Sequence, residues 1–409
     1  MSDYLLCYRI LNDVCRDGAY SNAALSRALE EADNGAWLTR MVYGVLSREI
    51  TLDYYIDALA SKSPKAQIRI LLRMGIYQLA YMDGTPDYAA VHTCVQACAQ
   101  IGKPALKGFV NAVLQAFVRN RPLLPDDPIR SLGVRASLPT WLTRMLTQQY
   151  GYDCAERFLT APSCDAEHVR HNPRKTTAQD AEQRLARIGG ARPDGIGGWY
   201  VRNTPQLRKL FDRGIVTIQS ETSVRCCMQL DARADETILD ACAAPGGKSV
   251  YLSERARKVV ACELHPHRAR LIEAYARRMG ADNIETVCAD MTRPRPDWNG
   301  MFDAVLCDVP CSGLGVRAKK PELVRNLSPE TLDELHDVQF AILQTCSAYV
   351  APNGRLVYAT CTVTERENGA VIQRFLLANP QWKCVSQTQY LPDGSGKDGF
   401  FVARLERTA

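Results

Sequence analysis

The chain has 409 residues, 46% hydrophobic and 23% charged, which excludes a single small module, a disordered chain and a collagen-like one, and leaves two or three domains with cores of their own. No run approaches the ~18 or more consecutive apolar residues of a membrane span, and Arg9, Asp13 and Arg16 interrupt the opening segment, so the chain is expected to stay in the cytoplasm, away from membranes. The net charge of +5 is too small to mark a nucleic-acid binder by itself, yet residues 236–409 carry 21 basic and 21 acidic side chains. The whole excess therefore lies before residue 236, as expected if the front of the chain grips a polyanion. None of the sixteen cysteines forms a CxxC pair, so neither a zinc ribbon nor a thioredoxin-type site is expected, and no metal. Most should pack as reduced, apolar thiols.

Residues 1–125 read as an all-α domain. The segments SNAALSRALEEA, WLTRMVYGVLSREITLDYYIDALA, PKAQIRILLRMGIYQLAYMD, DYAAVHTCVQACAQIG and ALKGFVNAVLQAFVRN carry apolar residues at three- and four-residue steps. Ser21, Ser63 and Asp87 stand where helices start, and Gly84 and Gly102 where they stop. RPLLPDDPIRSLGV then marks a boundary. Residues 126–235 read as a linker and a small α+β module, with helices at LPTWLTRMLTQQYG and TTAQDAEQRLARIG and strands at EHVRHN, GWYVRN and GIVTIQ. Residues 236–409 alternate strands (TILDAC, KVVACEL, NIETVCAD, FDAVLCDVP, RLVYATC, FFVARL) with helices, the pattern of an α/β, Rossmann-like domain whose mostly parallel sheet is covered on both faces.

The first of these strands runs into DACAAPGGKS, Asp240 to Ser249, and then a helix. Gly246 and Gly247 allow a tight turn and close approach of a ligand to the helix N-terminus. Doubly wound folds bind nucleotide-like cofactors at this place. The segment is neither GxGxxG nor a P-loop, which disfavours a triphosphate. Glu263, Asp290 and Asp308 end the next three strands, and an acid after the second strand accepts ribose hydroxyls while repelling a 2′-phosphate. Adenosine without that phosphate fits. Cys311 and Cys361 also stand at strand ends, where a thiol favoured as thiolate by a nearby cation serves as a nucleophile. Lys248, Lys319 and Lys320 are the local cations, whereas Cys307, inside an apolar run, reads as core. Spacing does not choose between Cys311 and Cys361.

FDAVLCDVPCSG, CAAPGGK and YATCTVTERENG, the last carrying Glu367 and Asn368, resemble the signature segments of the RNA cytosine-C5 methyltransferases of the NOL/NOP/Sun family. The front segment PDYAAVHTCVQACAQIGKPALKGFVNAVLQAFVR is similar to the NusB-type RNA-binding domain of its bacterial Sun/RsmB branch, so the likeness spans nearly the full length. The resemblance implies S-adenosyl-L-methionine as methyl donor and small-subunit (16S) ribosomal RNA as substrate, with the chain acting as a monomer. It implies further that Cys242, Ala243, Ala244, Pro245, Gly246, Gly247 and Lys248 wrap the cofactor, that Glu263 takes the ribose hydroxyls, and that Asp290 contacts the adenine. Asp308 would lie between cofactor and target base, Cys361 would be the nucleophile and Cys311 would assist release. Rivals are the same chemistry on tRNA, a non-catalytic RNA-binding protein of ribosome assembly, and a DNA methyltransferase, which would need a target-recognition region not evident here. One departure stands out: where the family usually shows paired arginines, this chain reads GVRAKKPELV, and lysines keep the charge but lose the guanidinium's fork.

Overall fold

A computed structural model describes residues 1–17, 19, 21–162, 164, 166–189 and 191–407. The chain forms two compact units: Met1–Thr160 with Arg317–Asn326, and Ala161–Val316 with Leu327–Ala409.

The first unit contains α1 (Asp3–Asp17), α2 (Ser21–Ala28), α3 (Gly35–Ser47), α4 (Glu49–Leu59), α5 (Ala66–Tyr81), α6 (Asp87–Gln100), α7 (Lys107–Arg119), α8 (Pro128–Ala136), α9 (Thr140–Tyr150) and α10 (Tyr152–Leu159). Nine consecutive residues of α5, Ile70 to Gln78, are buried, so this helix is apolar all round and forms the centre of the unit. Its one buried cation, Arg73, is matched by Glu49 at 2.7 Å and Asp53 at 2.6 Å. A Cβ at Gly44 would fall 2.0 Å from the Tyr77 ring, so α3 and α5 approach as closely as they do only with glycine there. Leu71→Ala should destabilise this unit by about 2–5 kcal/mol, because Leu71 is fully buried and the cavity would collapse only in part. Denaturant titration of the full chain, followed by a probe in this unit, should show its midpoint moving to lower denaturant.

Three sequence expectations change here. The segment from Trp37 to Ala60, expected as one helix, breaks at Arg48, whose guanidinium reaches the Arg135 carbonyl at 2.8 Å. Ser63 caps nothing: Pro64 disfavours helical backbone at the residue before it, and the helix begins at Ala66 with Lys65 as its N-cap. Residues 126–235 are shared between the units, because α8–α10 bury Leu132, Leu142 and Leu146 in the first. The segment Arg317–Asn326 also packs there. The half-buried Arg317 donates to the carbonyls of Ala136 and Leu159, Glu322 accepts from Ser21 at 2.9 Å, and Arg325 pairs with Glu49 at 3.4 Å.

The second unit opens with β1 (Ala166–His171), α11 (Ala178–Ile188), β2 (Arg192–Pro193), β3 (Gly198–Arg202), α12 (Pro205–Asp212) and β4 (Val216–Ile218), an antiparallel sheet in the order β2-β3-β1-β4. It continues through α13 (Glu221–Leu230), β5 (Thr237–Asp240), α14 (Gly247–Ser253), β6 (Lys258–Glu263), α15 (Pro266–Met279), β7 (Ile284–Cys288), β8 (Phe302–Asp308), α16 (Pro329–Tyr349), β9 (Val350–Thr360), α17 (Gly369–Ala378), β10 (Trp382–Tyr390) and β11 (Phe400–Arg407). These strands form a seven-stranded sheet in the order β10-β11-β9-β8-β5-β6-β7, in which β9, β8, β5, β6 and β7 run parallel, β11 pairs antiparallel with β9, and β10 pairs antiparallel with β11. The parallel strands are apolar on both faces because helices cover both, with Val305 and Tyr358 in one core and Leu306 and Val357 in the other. From β5 the order runs outward to β6 and β7 on one side and to β8 and β9 on the other, so the carboxyl ends of β5 and β8 border the topological switch point. No helix of the described residues is long and apolar enough to cross a membrane.

Candidate active site

The loop after β5 is built for tight backbone. Gly246 sits at φ 109°, in the left-handed region, where its N–H donates to the Ala243 carbonyl at 2.7 Å and its carbonyl accepts from Val250 at 2.9 Å. Ala243 donates to the Cys262 carbonyl at 2.7 Å, which ties the loop to the neighbouring strand β6. Asp240, at the end of β5, is fully buried and accepts from Ser249 at 2.6 Å, while its Oδ1 has no hydrogen-bond partner among the described residues. Burial raises this carboxyl to about 6.

Glu263 closes β6, 4% exposed, and its Oε1 takes the His265 N–H at 3.1 Å and the Arg268 guanidinium at 3.4 Å. Asp290, two residues past β7, accepts from the Thr292 hydroxyl at 2.6 Å and N–H at 2.9 Å, and these bonds hold its carboxyl below the usual range. The orphaned oxygen of Asp240, the acceptor chemistry of Glu263 and the close turn at Gly246 suit a ligand that presents hydroxyl and ammonium donors. An adenosine bearing an amino-acid arm is such a ligand.

Asp308 closes β8, where its Oδ2 meets Lys248 Nζ at 2.5 Å. Burial works against the charge on Lys248, but the Asp308 carboxylate outweighs it and raises the ammonium above its ordinary value. The Cys311 and Cys361 sulfurs, from the loops after the adjacent strands β8 and β9, lie 3.3 Å apart, and both residues are half-buried. Hydrogen bonding to Cys361, then burial, push the Cys311 thiol well above its ordinary value. Parallel pairing of β8 with β9, in register from Ala304 with Arg355 to Asp308 with Ala359, is what brings the two loops together. Backbone contact holds the arrangement from behind: Gly315 donates to the Cys361 carbonyl at 3.0 Å and accepts from Gly399 at 2.9 Å, and a Cβ on Gly315 would lie 2.0 Å from the Gly399 carbonyl oxygen.

The residues picked out in the sequence thus gather along the carboxyl edge of the parallel sheet, with two exceptions. Lys319 and Lys320 fall in the segment that packs into the first unit, and the ammonium that meets Asp308 is that of Lys248. Cys307 is core, fully buried against Cys346. Two groups had no role assigned from the sequence: Asp240, and Glu367, whose carboxylate is fully buried between the two cysteine loops. In the sequence Glu367 is one of two acids in the run TVTERENG, with Glu365, and is marked only by its place in the signature segment.

Comparison with known proteins agrees with this architecture. The family model for the 16S rRNA methyltransferases RsmB/F matches residues 227–406, and that of the NusB family matches residues 5–119. The chain is 31% identical to the probable ribosomal RNA small subunit methyltransferase B of Bacillus subtilis (strain 168), over 95% of each chain. It is 32% identical to the probable ribosomal RNA small subunit methyltransferase B of Synechocystis sp., over 98% of each. Among solved structures, that of PH0851 shares the fold over 100% of this chain and 99% of its own, with a TM-score of 0.84 and 22% identity. NSun6 from Pyrococcus horikoshii, solved with SFG, matches 67% of this chain and 99% of its own, with a TM-score of 0.61 and 17% identity. Helical NusB-type domain, Rossmann-like sheet and near full-length likeness converge: the chain belongs to the ribosomal RNA small subunit methyltransferase B family of S-adenosylmethionine-dependent methyltransferases.

Proposed function

We propose that this chain methylates C5 of a cytidine in small-subunit ribosomal RNA, with Cys361 as nucleophile. The observation that carries the reading is the 3.3 Å approach of the Cys311 and Cys361 sulfurs beside the Asp308–Lys248 pair. Cytosine C5 is a poor nucleophile. Adding the Cys361 thiolate to C6 turns the C5–C6 bond into an enamine-like system, splitting one hard step into easier ones. S-adenosylmethionine, when bound, supplies an electrophilic methyl carbon for that C5. Lys248, kept charged by Asp308, offsets the negative charge that builds on the ring, and the Asp308 carboxylate accepts from the exocyclic amine. A base then takes the C5 proton, the C6–S bond breaks, and the departing Cys361 sulfur takes a proton from Cys311. The raised Cys311 thiol suits that role, because it stays protonated beside its partner. The target base has to leave its stack to reach two strand-end loops, which favours a loop or locally opened RNA.

On the cofactor side, residues 242–248 wrap the donor, Glu263 takes the ribose hydroxyls and Asp290 the adenine. Removing one charged hydrogen-bond acceptor costs about 1.5–3 kcal/mol, a factor of about 10 to 150 in affinity. Glu263→Ala should therefore weaken S-adenosylmethionine binding by about that factor in calorimetry, with folding retained; unchanged affinity would remove Glu263 from the site. Bisulfite sequencing of RNA from cells with and without the protein tests the substrate. One small-subunit ribosomal cytidine should lose its protection when the protein is absent. Loss in tRNA alone would shift the reading to that substrate, and no loss anywhere would favour a non-catalytic assembly role.

A further inference from the structure

Five donors converge on the Glu367 carboxylate, which has no cation within bonding distance among the described residues. Its Oε1 takes the Ser312 N–H at 2.7 Å and the Gln339 amide at 3.2 Å. Its Oε2 takes the hydroxyls of Ser312 at 2.6 Å, Thr364 at 2.6 Å and Thr362 at 3.3 Å. The backbone carbonyl of the same residue is held by the buried Tyr358 hydroxyl at 2.6 Å, from strand β9. A carboxylate removed from water and unpaired with a cation is costly, and it persists only when its lone pairs are satisfied, as they are here. The choice of donors is the informative part. Ser312 directly follows Cys311 and Thr362 directly follows Cys361, and their hydroxyls also meet at 2.7 Å. One buried charge therefore grips the residue next to each sulfur.

We propose that Glu367 is a positioning residue that sets the distance between the Cys311 and Cys361 sulfurs for the methyl transfer cycle. This rests on the cysteine chemistry proposed above. The side chain holds both loops through Ser312 and Thr362. Bonds to a charged acceptor are shorter and stronger than neutral ones, so the clamp confines both loops more tightly than neutral partners do. A glutamine in this place keeps an acceptor for the Ser312 and Gln339 N–H groups, but turns a donor toward the three hydroxyls. Alanine releases all five donors.

The test is steady-state and single-turnover kinetics of the full-length protein with its RNA substrate. Glu367→Gln should lower kcat by about 10-fold and Glu367→Ala by about 100-fold or more, the graded loss expected when a charged hydrogen-bond hub is weakened and then removed. KM for RNA and the dissociation constant of S-adenosylmethionine should stay within about 2-fold, since this side chain is fully buried. Ser312→Ala, which removes one hydroxyl and leaves the fold's backbone donors in place, should lower kcat by about 5-fold and decides the matter if the Glu367 variants fail to fold. Added to Cys311→Ala, Glu367→Gln should slow formation of the protein–RNA adduct. Wild-type kcat in folded Glu367→Gln and Ser312→Ala, or a loss confined to KM, overturns the proposal. A Cys361→Ala control separates the two levels. Should that variant still methylate C5, the underlying chemistry falls and this inference with it; should it be inactive while Glu367→Gln behaves as wild type, only the positioning role falls.

Discussion

Cys361→Ala is expected to lose methyl transfer to RNA by on the order of 10⁴-fold or more, because in the proposed cycle the covalent route disappears with this sulfur. The variant should fold. Cys361 is half-buried at a strand end, and losing one sulfur from such a place opens little of a core. Binding of S-adenosylmethionine should be retained, since the loop at residues 242–248 and Glu263 belong to β5 and β6, on the other side of β8 from β9. Radiolabel incorporation from the methyl donor measures the loss, and calorimetry with the donor checks the fold. Activity near wild type would place the nucleophile elsewhere.

Cys311→Ala is expected to behave differently, although the two sulfurs are neighbours at 3.3 Å. In the proposed cycle, addition and methyl transfer need only Cys361 and would continue, while the departing sulfur would have lost its proton donor. The covalent species should therefore accumulate. A band of reduced mobility on denaturing gels, requiring both RNA and S-adenosylmethionine and absent from the Cys311→Ala/Cys361→Ala double variant, is the expected outcome. Free turnover by Cys311→Ala with no retarded band would deny Cys311 its part in release.

Much of this architecture is legible in the sequence because its signals are local. Near-continuous apolar runs mark β5, β6, β8 and β9, since strands covered on both faces have no polar side. The strand β10 escapes for the converse reason: WKCVSQTQY lies at the sheet edge, and most of its side chains are exposed or half-buried. Of α8–α10 the sequence pattern marks only α9, and sets it apart from the front domain because the proline- and aspartate-rich stretch that runs into α8 reads as a linker, whereas the burial of these helices depends on contacts far away in sequence, such as that of Arg48 with the Arg135 carbonyl. The same holds for Arg317–Asn326, whose partners Ser21, Glu49 and Ala136 no local pattern announces.

The site divides in the same way. A cysteine or carboxylate at a strand end is readable from the strand that precedes it, so Glu263, Asp308, Cys311 and Cys361 emerge from the pattern alone. That the two sulfurs meet depends on β8 lying beside β9 in parallel register, and strand order is not written in spacing. Glu367 is hidden for a related reason, because a surface acid and a buried one have the same letter, and only the three-dimensional convergence of five donors distinguishes them.

Peptide mapping of a trapped complex bears on the account most directly. RNA carrying 5-fluorocytidine at the target position cannot lose the C5 substituent as a proton, so the adduct should persist with the wild-type protein and S-adenosylmethionine. After digestion, mass spectrometry should find a single nucleotide attached to the peptide containing Cys361. Attachment to Cys311 instead, or no attachment while ordinary RNA is methylated, would contradict it.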